Sequence, residues 1–254
     1  MEQKNKIALI TGGSRGLGRN MALAIAKRGL DVVITYNANK EAADEVVSQI
    51  KDMGQHAVAF QLDTSNTQQF DQFVSVLTSQ LEQETGSANI DFLVNNAGTA
   101  LYSPITDTTE AQMEDIFNIH YKGVFFLTQK LLPHINDGGG IVNISSGLTR
   151  ISMPGSSVYG SLKAAVETLT RYMAKELGPR KIRANVVAPG AIATDFGGGR
   201  VRDNQELNDQ IASFTALGRV GVPDDIGGVV AFLCSEDAFW VNAQRIEVSG
   251  GQAI

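Results

Sequence analysis

Seven short apolar runs punctuate this chain, and most segments between them repeat their apolar residues at helical spacing. The first, Lys6 to Thr11 (Lys-Ile-Ala-Leu-Ile-Thr), has no polar alternation, as befits a strand buried on both faces. Similar runs follow at Asp31–Tyr36, His56–Gln61, Ile90–Val94, the Gly-Ile-Val-Asn-Ile-Ser-Ser stretch ending at Ser146, Ile182–Ala188 and Arg245–Ser249. Between them the periodicity predicts helices over Leu17–Arg28, Lys40–Met53, Gln68–Glu84, Glu110–Leu132 (interrupted at Gly123), a segment following Tyr159, and one entered at Asp224. The Gln68–Glu84 segment sets Phe70, Phe73, Val74, Leu77 and Leu81 on one face. Strands alternating with helices predict an α/β fold, a doubly wound seven-stranded parallel sheet with helices on both faces. With no repeat, linker or low-complexity tract, residues 1–254 read as a single domain.

Composition narrows the picture without changing it. Hydrophobic residues make up 43% and charged residues 19%, ordinary for a globular protein, and a net charge of −6 argues against nucleic-acid or anionic-membrane partners. Cys234 is the only cysteine, and His56, His120 and His134 show no ligand spacing, so no metal is expected. The amino terminus runs straight into the first strand without a signal peptide, and no apolar stretch reaches membrane-spanning length. The expectation is a soluble, cytoplasmic protein.

Two places carry chemistry. Gly12, Gly13, Gly16 and Gly18 lie between the first strand and the first helix, where backbone amides can approach a phosphate and the helix N-terminus favours its charge. Tyr159 and Lys163 stand four apart on a helix and so share one face, which holds a phenol beside an ammonium. A nearby cation favours phenolate, so Tyr159 is expected to exchange protons nearer neutrality. Ser146 closes a buried strand, the kind of position where open α/β sheets place ligands.

Thr11-Gly-Gly-Ser-Arg-Gly-Leu-Gly18, Asn95-Asn-Ala-Gly98, Ser146, Tyr159-x-x-x-Lys163 and Pro189-Gly190, in this order and spacing, together resemble the short-chain dehydrogenase/reductase family. The resemblance covers essentially the whole chain. It implies a Rossmann-type fold, a nicotinamide cofactor, and hydride transfer between that cofactor and a carbonyl or secondary alcohol. It assigns Ser146, Tyr159 and Lys163 to catalysis, with Ser146 bound to the carbonyl oxygen and Lys163 to the nicotinamide ribose. His120 stands where the family usually has an Asn of the proton relay behind the lysine, the one departure in the catalytic set. The dinucleotide is expected on Gly12, Ser14, Arg15, Gly16, Leu17 and Gly18, on Tyr36 and Asn37, on Asp63 at the adenine, on Asn96, Ala97 and Gly98, and on Tyr159, Lys163, Pro189, Gly190, Ile192 and Thr194. The family's pairing of such helices between subunits implies a homotetramer.

No carboxylate lies between Thr35 and Lys40, and Arg15 adds a cation nearby, so NADP(H) is favoured over NAD(H). By position, Phe196 to Thr215 is a mobile lid over the substrate. A free small-molecule ketone or alcohol ranks above a 3-oxoacyl group on acyl carrier protein. An acidic carrier needs a basic patch, whereas the loop expected before the Ser146 strand, Pro133–Gly140, has no Lys or Arg and Arg180 and Lys181 alone make a thin one. A dinucleotide-binding sensor or structural protein is the reading from another class, opposed by the presence of Ser146, Tyr159 and Lys163.

Overall fold

The computed structural model describes residues 5–254. Residues 1–4, part of the stretch on which the signal-peptide reading rests, lie outside them. The strands are β1 (Ile7–Ile10), β2 (Asp31–Tyr36), β3 (Ala57–Gln61), β4 (Ile90–Asn95), β5 (Ile135–Ile144), β6 (Arg183–Pro189) and β7 (Arg245–Val248). They form one parallel sheet in the order β3-β2-β1-β4-β5-β6-β7, as the alternation predicts. From β1 the chain winds outward to β3, then returns to the other side of β1 at β4. That reversal opens a crevice beyond the carboxyl ends of β1 and β4, where such sheets bind ligands.

Side-chain alternation along the strands feeds two cores. Ala8 and Ile10 of β1 join one cluster with Ile25 of α1 (Gly16–Ala26), Val46 of α2 (Lys40–Asp52) and Val230 from a helix near the carboxyl end. Ile7 and Leu9 face the opposite cluster, with Phe73 and Leu77 of α3 (Phe70–Thr85) and Leu169 and Met173 from the helix bearing Tyr159. Both faces of the sheet are covered, so its strands read as unbroken apolar runs.

Four stretches depart from expectation. The long helix breaks into α4 (Glu110–Phe117), a π-turn (Asn118–Lys122) and α5 (Gly123–Leu131), because one extra residue is accommodated at Asn118–Lys122. The loop expected ahead of Ser146 is instead the first half of β5. There the chain passes so near its neighbour that a Cβ on Gly139 would sit 2.2 Å from the Asp91 carbonyl oxygen, and the register shifts between Ile90 and Phe92. After α6 (Ser157–Glu176), the lid segment folds a 3₁₀ turn, α7 (Arg200–Asp203) and α8 (Gln205–Ser213), the last capped by the Asn204 side chain accepting from the Leu207 N–H at 2.9 Å. Finally, α9 (Asp224–Leu233) begins with Asp224 inside its first turn and Pro223 at the cap.

Candidate active site

Beyond the carboxyl ends of the strands lies a cleft of about 660 Å³. Every residue expected from the sequence to serve cofactor or catalysis lines it, from Gly12 in the first turn to Thr194 after β6. One end is the glycine turn. Thr11 Oγ1 accepts from the backbone N–H groups of Asn96 and Ala97, both at 3.0 Å. The Asn96 amide returns donor bonds to the carbonyls of Thr11 at 2.8 Å and Gly12 at 3.1 Å. The loop after β4 thereby braces the turn after β1. Gly18 has no substitute, since a Cβ there would lie 2.1 Å from the Gly12 carbonyl oxygen. An open turn braced this way at the start of α1 suits a diphosphate.

Arg15 has a partner that the sequence does not suggest. Its guanidinium pairs with Asp195 at 2.7 Å, joining the glycine turn to the loop after β6. Lys40 is held by Asp44 at 2.6 Å, one helical turn along α2. Asp63, expected at the adenine, uses Oδ1 to accept from both the N–H and the hydroxyl of Ser65, at 2.9 and 2.7 Å.

At the other end α6 presents Tyr159 and Lys163, both buried, to the end of β5. Lys163 Nζ donates to the Ile144 carbonyl oxygen at 2.8 Å and lies 5.6 Å from the centre of the Tyr159 ring. Burial brings the ammonium down from its ordinary 10.5 to about 7. Burial also raises Tyr159 above the ordinary tyrosine range, aided by Tyr102 and opposed by a hydrogen bond with Ser146. The lowering expected from Lys163 is not what the structure shows, and the buried phenol is kept as an acid able to give up its proton. Ser146 Oγ accepts from the Leu148 N–H at 3.2 Å and shares a hydrogen bond with the Tyr159 phenol, so the two hydroxyls stand side by side in the cleft.

The π-turn carries His120 into this site. The imidazole is 1% exposed, with its ring edge-on to Tyr159 at 5.2 Å between centroids. Nε2 lies 2.8 Å from the Thr99 carbonyl oxygen, while Nδ1 is buried without a hydrogen-bond partner. Burial holds the ring well below the ordinary 6.5, with the Lys163 charge adding to the effect and the Thr99 bond opposing it. The space His120 fills exists because residue 98 is glycine: a Cβ there would meet the ring at 2.5 Å.

Behind Ser146 is a charged network that the linear motifs do not mark. Glu167, one turn beyond Lys163, accepts from Ser145 Oγ at 2.7 Å, Thr149 Oγ1 at 2.9 Å and Arg245 Nε at 2.8 Å. Arg245 also donates to the Ser146 carbonyl oxygen at 3.4 Å, so β7 supports the peptide bearing the serine. The only hint in sequence is the Lys163–Glu167 spacing. On the substrate side the sequence marks Phe196 and Arg200 through the lid segment but not Tyr102 or Met153, which join them only in three dimensions. Phe196 packs beside Tyr159 at 6.1 Å between ring centroids.

A family model described as enoyl-(acyl carrier protein) reductase matches residues 12–253. The chain belongs to the short-chain dehydrogenase/reductase family. Among curated short-chain relatives, an uncharacterized oxidoreductase of Methylorubrum extorquens is 40% identical, over 98% of each chain. A hydroxynaphthalene reductase-like protein, Arp2 of Metarhizium brunneum, is 38% identical over 97% of this chain and 94% of its own. Of solved structures, the promiscuous reductase LugOII, which catalyses keto-reduction at C1 in lugdunomycin biosynthesis, superposes with a TM-score of 0.93 at 36% identity, covering both chains fully. The angucycline C-6 ketoreductase LanV with bound NADP gives 0.92 at 35%, covering 98% of this chain and 95% of its own. These short-chain dehydrogenase/reductase structures bear out the Rossmann-type sheet expected from the motifs. Among the described residues no helix is long and apolar enough to cross a membrane.

Proposed function

We propose that this chain is an NADP(H)-preferring ketoreductase that transfers a hydride to the carbonyl of a planar, largely apolar small molecule, or from the matching secondary alcohol. The reading rests on one observation, the convergence of Ser146, Tyr159 and Lys163 at the end of a cleft whose other end is a braced glycine turn. When bound, the nicotinamide supplies or takes the hydride; the chain's residues orient the partners and manage one proton. Ser146 turns its hydroxyl to donate to the carbonyl oxygen, stabilising charge as it develops there. Tyr159, kept protonated by burial, gives its proton to that oxygen. Lys163 holds the ribose, and His120, through its unpartnered Nδ1, joins the path that restores the tyrosine proton.

The planar substrate is supported by the aromatic flank of Tyr102 and Phe196, and by likeness to reductases named for hydroxynaphthalenes and angucyclines. NADP(H) is supported by the absence of a carboxylate between Thr35 and Lys40 and by the NADP bound in LanV. A carrier-bound substrate is disfavoured because Arg180 is spent on Asp137 and on the carbonyls of Leu132 and Ile135, which leaves little basic surface at that loop. A single catalytic domain over residues 1–254, working in the cytoplasm, completes the reading. Homotetramer assembly is supported by exposed Met113, Phe117, Phe125, Phe126 and Tyr172 on α4, α5 and α6.

The test is NADPH oxidation with 1-tetralone, 2-tetralone, an acetoacetyl thioester and an α,β-unsaturated thioester, each repeated with NADH. Reduction of the tetralones with NADPH preferred is the expected result. Reduction of the thioesters alone, or of none of the panel, overturns it.

A further inference from the structure

The substrate end of the cleft has one feature that simple ketone reduction does not need. Its walls there are built from Leu101, Tyr102, Ile151, Met153, Phe196 and Val201. The charged cleft residues elsewhere have partners: Arg15 is bound to Asp195, and Asp63 to Ser65. Next along α7, Arg202 is paired with Asp203 at 2.6 Å. Arg200 alone differs. Among the described residues it forms no ion pair, and its guanidinium lies on the face of the Tyr102 ring, 4.4 Å from the centre.

We infer that Arg200 and Tyr102 form a subsite for an acidic group, a carboxylate or ionised phenol, carried on the ring system of the substrate away from the carbonyl that is reduced. This rests on the ketoreductase reading and names the substrate class within it. A guanidinium stacked on an aromatic face keeps its edge N–H groups directed outward, in the planar fork that matches a carboxylate. Tyr102 lines the same cleft as Tyr159 and carries Arg200 over its ring, so the cation stands on the substrate side of the reacting position. Arg200 and Tyr102 are both solvent-exposed at the mouth of the cleft, where the guanidinium can reach an acidic group on a bound ring, and a neutral ring offers it no such partner.

Calorimetry on NADP⁺-saturated enzyme with 2-naphthoate and 2-naphthamide isolates the charge at constant shape. Wild type should bind naphthoate at least ~10-fold more tightly than the amide, in keeping with a charge-assisted pair. In Arg200→Gln that ratio should fall to near one, and in Arg200→Lys, which keeps the charge without the fork or the stack, it should fall between the two. Naphthamide binding to each variant shows that the cleft is intact. A ratio near one in wild type, or a wild-type ratio in Arg200→Gln, overturns the subsite whatever the enzyme reduces. An Arg200-dependent ratio in an enzyme that reduces no ketone upholds the subsite and overturns the ketoreductase reading instead.

Discussion

Replacing Lys163 by Met should make the protein more stable while abolishing its activity. The ammonium is buried, with the Ile144 carbonyl oxygen as its hydrogen-bond partner, and falls from 10.5 to about 7 in the folded state. At about 1.4 kcal/mol per tenfold change, that displacement corresponds to about 5 kcal/mol of unfavourable charge burial. Below pH ~7 the lysine is charged both folded and unfolded, so the whole cost is present. Between ~7 and ~10.5 only the unfolded chain carries the extra proton, and stability rises with pH as the folded group stays neutral. Met keeps the stem's apolar contacts and loses one hydrogen bond worth about 1 kcal/mol. Lys163→Met should therefore exceed wild type by roughly 2–4 kcal/mol at pH 6, and the gap should shrink by about 2–3 kcal/mol by pH 9. At ~2–4 °C per kcal/mol for a chain of this size, paired thermal melts at pH 6, 7, 8 and 9 and equal protein concentration should show the gap closing by ~5–10 °C. A gap that stays constant across this range would mean the folded lysine is charged throughout, and the burial argument would fail.

Three further outcomes follow from the same geometry. Tyr159→Phe should nearly abolish turnover with cofactor affinity intact, measured by fluorescence titration, whereas Ser146→Ala should cost about 10²–10³-fold in kcat; equal losses would contradict their separate roles. Because His120 is held neutral well below 6.5, it becomes charged only in acid; His120→Ala should slow turnover and lose the acidic limb of the pH–rate profile, and His120→Asn should retain most activity. Asp195→Asn should release Arg15 for a 2′-phosphate and raise the NADPH-over-NADH ratio of kcat/KM, while Arg15→Gln should lower it; opposite shifts would place the phosphate elsewhere.

Most of the scaffold and the core of the site were legible because both depend on local pattern. An apolar run followed by glycines and a helix can be read from Lys6 to Arg28, and the phenol–ammonium face needs only a spacing of four. What could not be read depends on contacts between distant residues. Three consecutive glycines, Gly138–Gly140, look like a loop until the closeness of Asp91 shows why the strand requires the middle one. Arg15 has the chemistry to read a phosphate, but its partner is Asp195, 180 positions away and supplied by another loop. The departure at His120 was visible as a residue type, whereas the π-turn that carries it to Tyr159 was not. Glu167 and Arg245 look like solvated charges until β7 sets one beside the other.

The carboxyl-terminal residues set a schedule for synthesis. The Gln252 side chain accepts from the Ala191 N–H at 3.0 Å, in the loop that lines the nicotinamide end, and Arg150, just past Ser146, holds the carbonyls of Gln252 and Ala253. β7, the edge strand that supplies Arg245, is also among the last segments made. A nascent chain can complete the glycine turn while still on the ribosome once β4 and Asn96 have emerged, because every partner of that brace lies in the first half of the sequence. It cannot brace its serine or close the loop after β6 until residue 252 has left the exit tunnel. Dinucleotide affinity should therefore precede reductase activity during translation, and a ribosome stalled before residue 245 has emerged would display a chain able to hold its cofactor but not to use it.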